Sequence, residues 1–294
     1  MHLSIDAGGT FIKYAWFSEN QETVEHGKRK TPLSSIEDFF DVIKSIWDEK
    51  KAKKTGLSFS LPGTIDSITG FVFQGGSLTY HTGVNIKEMY EKAFGVPVSV
   101  ENDARCAAIA EMTSGNMKDI DTGIVLTFGT GVGGCLIIGK KIHRGTHLFS
   151  GEVSGLVTQD IRKEGINSIL GRKLGIGVFA RHVSKLKGVA PVDGYGVFKW
   201  IKNGDQIAVE AFNEYCEILA MQLFNMQILL DPRRICIGGG ISENPVFIEG
   251  IQKAMEAYYG YFPIPLPRFE LMACKYHNDA NILGAYAHFS TLYQ

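Results

Sequence analysis

Short apolar runs, broken by polar and glycine-rich turns, alternate with stretches of helical spacing along the whole chain. That alternation predicts an α/β protein with two related halves. Two segments share one design: an apolar strand, a glycine-rich turn after a polar hinge, and a second apolar strand. One covers 3–17 and the other 124–138. Between them the pattern predicts a helix over 36–51 capped by Ser34 or Ser35, and a strand over 56–63 running into a Pro-Gly turn. A strand over 96–100 then leads into a helix over 104–113, which Ser114-Gly-Asn116 breaks.

The domain boundary is expected near 116–122, where the strand–turn–strand pattern restarts and runs to 142. The domains expected are 1–118 and 119–279, with a closing helix over 280–294 packing back on the first. Residues 143–172 are glycine-punctuated and read as a loop-rich stretch facing a cleft. Helices are predicted in part of 167–187, over 206–230, and over 245–258 with Ser242 or Asn244 as cap. Strands are predicted over 234–237, ahead of Gly238-Gly-Gly240, and near 269–274.

Composition narrows the class without deciding the chemistry. In 294 residues, 45% are apolar and 21% charged, and the formal net charge is −1. Nothing in that balance points to nucleic acid or an anionic membrane. The basic run at 28–30 and the lysines at 50, 51, 53 and 54 read as a solvated face. Five cysteines lie far apart among apolar neighbours, as expected of buried thiols in a reducing compartment. The apolar stretch 207–230 carries too many polar residues to span a membrane, and no secretory signal is evident, so a cytoplasmic protein is expected.

Several motifs fail on context. Residues 129–134 satisfy G-x-G-x-x-G, but a strand follows where the dinucleotide fingerprint needs a helix. Residues 134–141 approach a Walker A loop without its final Ser/Thr. His143 and His147 lie four apart with no HExxH and a glycine between them, which favours two surface histidines over a metal pair.

Candidate chemistry gathers at the repeated turns. Glycine turns let backbone N–H groups converge on an anion, so two of them can hold a polyphosphate. Asp6 stands beside Gly8, Gly9 and Thr10; it is either a turn-capping aspartate or a phosphate-side carboxylate. The recurrence at Thr127, Gly129, Thr130 and Gly131 favours phosphate. A carboxylate there requires an intervening cation, so Asp6 implies Mg²⁺, directly or through water. Lys13 is either cleft-facing or an ordinary exposed lysine. Asn102-Asp103 can cap a helix, and Asp103 can also orient a hydroxyl in loose phosphoryl transfer. Glu152 is a candidate polyol acceptor, but an exposed glutamate in a glycine-rich loop is the better reading from the residues alone.

Taken together, Ile5-Asp-Ala-Gly-Gly-Thr10 with Lys13, Leu61-Pro-Gly63, Glu101-Asn-Asp103 with Ala107-Ala108, the 126–134 turn, Gly151-Glu152 and Ile237-Gly-Gly-Gly-Ile241 resemble the ROK family. This family includes repressors and sugar kinases on the actin/hexokinase, ribonuclease H-like fold, and the motifs occur in family order. The resemblance implies two domains with an interdomain cleft that closes over the sugar. It places ATP phosphates between the 6–10 and 127–131 turns, with adenosine near Gly239 and Gly240. It makes Asp103 the catalytic aspartate and places Gly63, Asn102 and Glu152 at the sugar, with further contacts expected around 75–87 and 147–160. A homodimer is also implied.

Two departures shape the expectation. Gly151-Glu-Val-Ser-Gly155 lacks the family's x-Gly-His and the following cysteine motif, so no structural zinc and a more open sugar pocket are expected. No helix-turn-helix region precedes Asp6, which argues against a DNA-binding repressor. Short zinc-free members resemble β-glucoside kinases, which phosphorylate the 6-hydroxyl of glucose in disaccharides such as cellobiose. Glucokinase, N-acetylmannosamine kinase and fructokinase activities are the alternatives within the class. A sugar-sensing regulator and an Hsp70-like ATPase are the rivals outside it.

Overall fold

The structure is a computed structural model that describes residues 1–293. The chain forms two compact units, one of residues 1–114, 145–149 and 279 onward, the other of residues 115–144 and 150–278. The first contains β1 (His2–Ala7), β2 (Phe11–Phe17), β3 (Thr23–Lys30), α1 (Ile36–Asp48), β4 (Gly56–Leu61), β5 (Thr64–Asp66) and β6 (Phe71–Gln74). It continues with β7 (Val84–Asn85), α2 (Ile86–Phe94), β8 (Val98–Asn102) and α3 (Asp103–Ser114). The second contains β9 (Gly123–Phe128), β10 (Val132–Ile138), β11 (Lys141–His143), the single turns α4 (Ile161–Glu164) and α5 (Leu170–Lys173), and α6 (Ile176–Leu186). It ends with α7 (Gly194–Lys202), α8 (Gln206–Leu230), β12 (Arg234–Gly238), α9 (Pro245–Tyr259) and β13 (Glu270–Ala273). The last helix, α10 (Ala280–Tyr293), belongs to the first unit.

Each unit is built on the same five-stranded sheet. The orders are β3-β2-β1-β4-β8 and β11-β10-β9-β12-β13. In both, the first three strands run antiparallel to their neighbours and the last two add in parallel. This duplicated arrangement is the ribonuclease H-like pattern of the actin/hexokinase fold. The first unit adds a small sheet, β5-β6-β7.

The physical reasons are local. Parallel strands are covered on both faces, and β4 is buried at every residue, with small serines alternating with Leu57, Phe59 and Leu61. The first core packs α1, through Phe39, Ile43, Ile46 and Trp47, with Leu3, Ile5 and other strand residues. Ser35 caps α1, its hydroxyl accepting from Asp38 N at 3.1 Å. In the second unit Asn244 caps α9, accepting from Val246 N at 3.1 Å, while Ser242 bonds elsewhere. All five cysteines are free and buried.

Strand β3 escapes the hydrophobic pattern because it has no apolar face. It is an edge strand ending in Lys28-Arg-Lys30, and charged residues there discourage pairing with another chain. The pattern likewise does not predict the α2 and α7 helices or the β5–β7 sheet. They are short, and their burial depends on neighbours distant in sequence. The β8 strand runs to Asn102, two residues beyond the predicted end.

α10 lies against α3 so closely that only glycine fits at the crossing. A Cβ on Gly284 would sit 1.7 Å from the Cys106 carbonyl oxygen. Ser4 Oγ donates to Ile282 O at 2.8 Å, and Phe17 stacks on Tyr286 with centroids 4.2 Å apart. His2 is buried between Tyr286 and Phe289, with Nε2 2.9 Å from Ser58 Oγ. Burial, helped by the nearby N-terminal charge, pushes its pKa down to about 3. His81 is wholly buried, edge-on to Phe39, and burial pushes it down to about 4.

Two stability outcomes follow. Gly284→Ala gains helix propensity but forces backbone apart, so chemical denaturation is expected to show a net loss of about 1–3 kcal/mol. Both histidines are more acidic in the folded state, so the unfolded chain binds more protons between about pH 4 and 6.5. The contribution of these two histidines to stability is therefore complete above pH 6.5 and is lost on acidification, by up to about 1.4 kcal/mol per pH unit for each. Denaturation of a His81→Phe variant across that range is expected to show a shallower decline.

Candidate active site

In the first unit the candidate residues gather at the carboxyl ends of the parallel strands. Register places Asp6 on β1 beside Ser60 on β4, and Ser60 beside Glu101 on β8. Asp6 Oδ1 accepts from Ser60 Oγ at 2.9 Å and from Asn281 Nδ2 at 3.0 Å. Burial raises the Asp6 pKa; these two hydrogen bonds and the Lys13 charge oppose the rise without cancelling it. Lys13 stands directly opposite Asp6 across the β1–β2 ladder, so both project from the same face. Both hydrogen bonds fall on Oδ1.

The 8–10 turn is held from outside. Gly8 N donates to Phe11 O at 3.0 Å, Thr31 Oγ1 donates to Gly8 O at 2.7 Å, and Thr31 N donates to Thr10 O at 3.1 Å. The Gly9 and Thr10 amides take no part in that closure. Neither Gly8 nor Gly9 adopts a positive φ, so left-handed backbone is not what the turn requires. Space is: a Cβ on Gly9 would lie 3.3 Å from Ser77 Cβ.

Of the predicted acceptor residues, Gly63, Asn102 and Asp103 lie in the same unit as this turn. Gly63 has φ +109° and a Cβ there would lie 1.9 Å from Gln74 O, so no other residue fits. Asn102 Nδ2 donates to Gly63 O at 3.0 Å, while its Oδ1 accepts from Arg105 N at 3.1 Å and so caps α3. Asp103 opens α3, where the helix field favours a negative charge, and its Oδ1 accepts from Ala104 N at 2.8 Å. Next to Gly63 the loop turns through Gly76, and Gly75 N bonds Thr82 Oγ1 at 3.0 Å.

Glu152 belongs to the second unit and is half-buried rather than an exposed loop glutamate. Gly151, at φ +86°, is pressed onto β10, where an added Cβ would lie 3.2 Å from Cys135 Cα. This fixes the backbone immediately before Glu152.

The second turn repeats the first with its own closure. Gly129 N donates to Gly131 O at 2.9 Å, and Ile176 N donates to Gly129 O at 2.8 Å. The Gly129 amide is therefore not a free anion donor, whereas those of Thr130 and Gly131 lie outside this closure. Neither glycine has positive φ, and an added Cβ on either would meet nothing within 4 Å. Gly129, Thr130 and Gly240 line a cavity of ≈ 680 Å³ with Phe128, Tyr195 and Asn244. Thr127 sits on β9 between Gly133 and Gly238 in register. Gly239 is obligatory: its φ is +86°, and a Cβ would lie 2.2 Å from Phe128 O.

Sequence reasoning missed Ser60, Thr31, Ser77 and Asn281 around Asp6, and Tyr195 in the cavity. The Gly75-Gly76 pair was a usable signal for the loop beside Gly63. Asn281 lies 275 residues from Asp6 and had none.

Among the described residues no three His, Cys, Asp or Glu side chains converge as metal ligands. Asp6 stands as a lone carboxylate with neutral donors on one oxygen. That set suits Mg²⁺, which keeps several waters and takes its remaining ligands from phosphate. No helix among the described residues is long and apolar enough to cross a membrane.

The profile of the ROK family matches residues 2–166 and 176–291. A β-glucoside kinase of Klebsiella pneumoniae is 28% identical over 299 residues, covering 99% of this chain and 96% of its own. A ROK family protein from Streptococcus pneumoniae, solved in complex with sucrose, superposes with a TM-score of 0.86 at 28% identity, covering 99% and 98% of the two chains. A glucokinase from Streptomyces griseus, solved with glucose and AMPPNP, superposes with a TM-score of 0.81 at 22% identity over 97% of each chain, a likeness of fold. With both sheets, the glycine turns and nearly the whole length in agreement, this chain belongs to the ROK family.

Proposed function

We propose that this ROK protein is an ATP-dependent sugar kinase, and that its acceptor is the 6-hydroxyl of a glucose unit in a β-glucoside such as cellobiose. The observation that carries the reading is Asp103 at the first position of α3, beside an Asn102 whose amide is tied to the Gly63 carbonyl. A carboxylate and a carboxamide fixed by backbone on both sides suit a sugar, because hydroxyls need aligned donors and acceptors. In this reading the acceptor oxygen bonds to the γ-phosphorus, the bond from that phosphorus to the β–γ bridging oxygen breaks, and the hydroxyl proton passes to Asp103. Phosphoryl transfer of this loose kind is governed by positioning, which rigid backbone partners supply.

The amides of Gly9 and Thr10, and those of Thr130 and Gly131, are the donors available to phosphate oxygens. Lys13, on the same face as Asp6, adds positive charge. Mg²⁺ would neutralise charge developing on the phosphates, and Asp6 is the residue that would hold it, directly or through water. Its hydrogen bonds to Ser60 and Asn281 fix the carboxylate orientation. Gly239 and Gly240 shape the wall for adenosine, next to the cavity lined by Tyr195. Glu152, oriented by Gly151, is a sugar acceptor group, and Gly151-Glu-Val-Ser-Gly155 places no histidine after it. The missing histidine leaves room for an aglycone, and the β-glucoside kinase among the relatives supports that preference. We also read the protein as a cytoplasmic homodimer without a nucleic-acid partner and without structural zinc.

A coupled ADP-release assay across glucose, N-acetylmannosamine, fructose, cellobiose and gentiobiose tests the acceptor. Turnover on the disaccharides at least equal to that on glucose is expected; turnover on glucose alone would overturn the β-glucoside preference. Asp103→Asn keeps an oxygen to cap Ala104 N but cannot take the proton. Its sugar-dependent turnover is expected to fall by about 10²–10⁴-fold with little change in melting temperature. Unchanged turnover would remove Asp103 from the chemistry.

A further inference from the structure

Arg105, two residues beyond Asp103, is a fully buried charge to which the chemistry above assigns no role. It is 1% exposed, and the neighbouring Glu101 is 0% exposed. Its guanidinium reaches in two directions. Nη2 donates to Leu148 O at 2.6 Å, and Nη1 lies 3.9 Å from Glu101 Oε1 without a hydrogen bond of its own. Glu101 Oε1 in turn accepts from Asn102 N at 2.8 Å. The Arg105 backbone N–H is the one that Asn102 Oδ1 caps.

The recipient of the Nη2 bond is unusual. Residues 145–149 are grouped with the first unit although the chain on either side of them belongs to the second. This strap carries backbone that an ordinary loop would avoid. Leu148 has φ +59°, and Gly145, which opens the strap, has φ +72°. A leucine holds a left-handed conformation only where its surroundings impose it. A charge-assisted bond from a buried guanidinium to that residue's own carbonyl is such an imposition.

We propose that Arg105 is a positioning residue for the acceptor. Resting on the sugar-kinase reading, the inference is that its guanidinium latches the 145–149 strap to the first turn of α3 and, through Glu101, steadies the Asn102 backbone. The same chain runs on from the strap through Gly151 to Glu152. Loss of the latch therefore loosens the strap and the first turn of α3, where Asn102 and Asp103 lie, and leaves the nucleotide residues alone. Lysine cannot substitute, because a single ammonium cannot span Glu101 and Leu148 together as a planar fork does.

The test compares wild type with Arg105→Lys, which keeps the charge beside Glu101. A Glu101→Gln/Arg105→Gln double variant, which removes both charges of this pair, serves as the second. Steady-state kinetics and amide hydrogen exchange of peptides covering 146–150 are measured on the full chain. For Arg105→Lys the acceptor KM is expected to rise about tenfold, with the ATP KM within twofold of wild type and exchange over 146–150 accelerated. The double variant, folded by circular dichroism, is expected to show the same raised acceptor KM and fast exchange. A purely structural role would lower melting temperature and the active fraction, leaving both KM values and the strap's exchange unchanged; that result overturns the proposal. If wild type releases no ADP with any sugar, the kinase reading fails instead. Exchange over 146–150 then decides alone whether Arg105 holds the strap, and unaccelerated exchange in the variants refutes the latch.

Discussion

The first unit depends on how closely α10 approaches α3. A carbonyl of α3 occupies the space where any side chain on residue 284 would begin, so the helices meet backbone to backbone. That proximity lets Ser4 on β1 reach the Ile282 carbonyl and brings Asn281 onto Asp6. The last helix of the chain thus supplies a donor to a carboxylate on the first strand. Without the glycine, α10 would shift and Asp6 would lose one of its two fixed partners.

Each unit uses the same sheet order, yet the repeated turns have diverged. Both close with a glycine N–H bonded within the turn, leaving the next two amides outside the closure. In neither does glycine serve for positive φ; in the first, Gly9 is confined by Ser77, whereas an added Cβ on Gly129 or Gly131 of the second would meet nothing. The first turn has a carboxylate on its strand, held by a hydroxyl and an amide; the second has threonines and borders an open cavity. Shared topology explains the position of the turns, and the side chains around them explain their different chemistry.

Buried charge in the first unit is organised around α3. Asp6 is desolvated enough that its carboxyl is pushed upward despite two hydrogen bonds and a nearby lysine, which suits a group that would meet a cation. Glu101 and Arg105 are buried more deeply, and each is engaged by backbone: the carboxylate takes the Asn102 N–H and the guanidinium holds the Leu148 carbonyl. Such groups are costly unless satisfied, so their geometry is tightly specified. Asn102 and Asp103 inherit that specification because they lie between the two in sequence.

Periodicity alone is enough for the strands and helices with an apolar face: the paired strands at 3–17 and 124–138, and helices such as 36–48, 206–230 and 245–259. Motif order is enough to identify the family, because glycine and aspartate at these spacings reflect backbone needs that are local. The polar edge strand β3, the short α2 and α7 helices and the β5–β7 sheet are not legible, since their stability comes from distant neighbours. Glu152 reads as an exposed loop residue in the sequence, and only the packing of Gly151 onto β10 shows otherwise. What the tertiary structure alone decided is which polar groups meet: the Asn281 amide with the Asp6 carboxylate, and the Arg105 guanidinium with the Leu148 backbone carbonyl. Hydrophobic pattern specifies which face of an element is buried, but hydrogen-bond partners are specified only by the packing that brings those elements together.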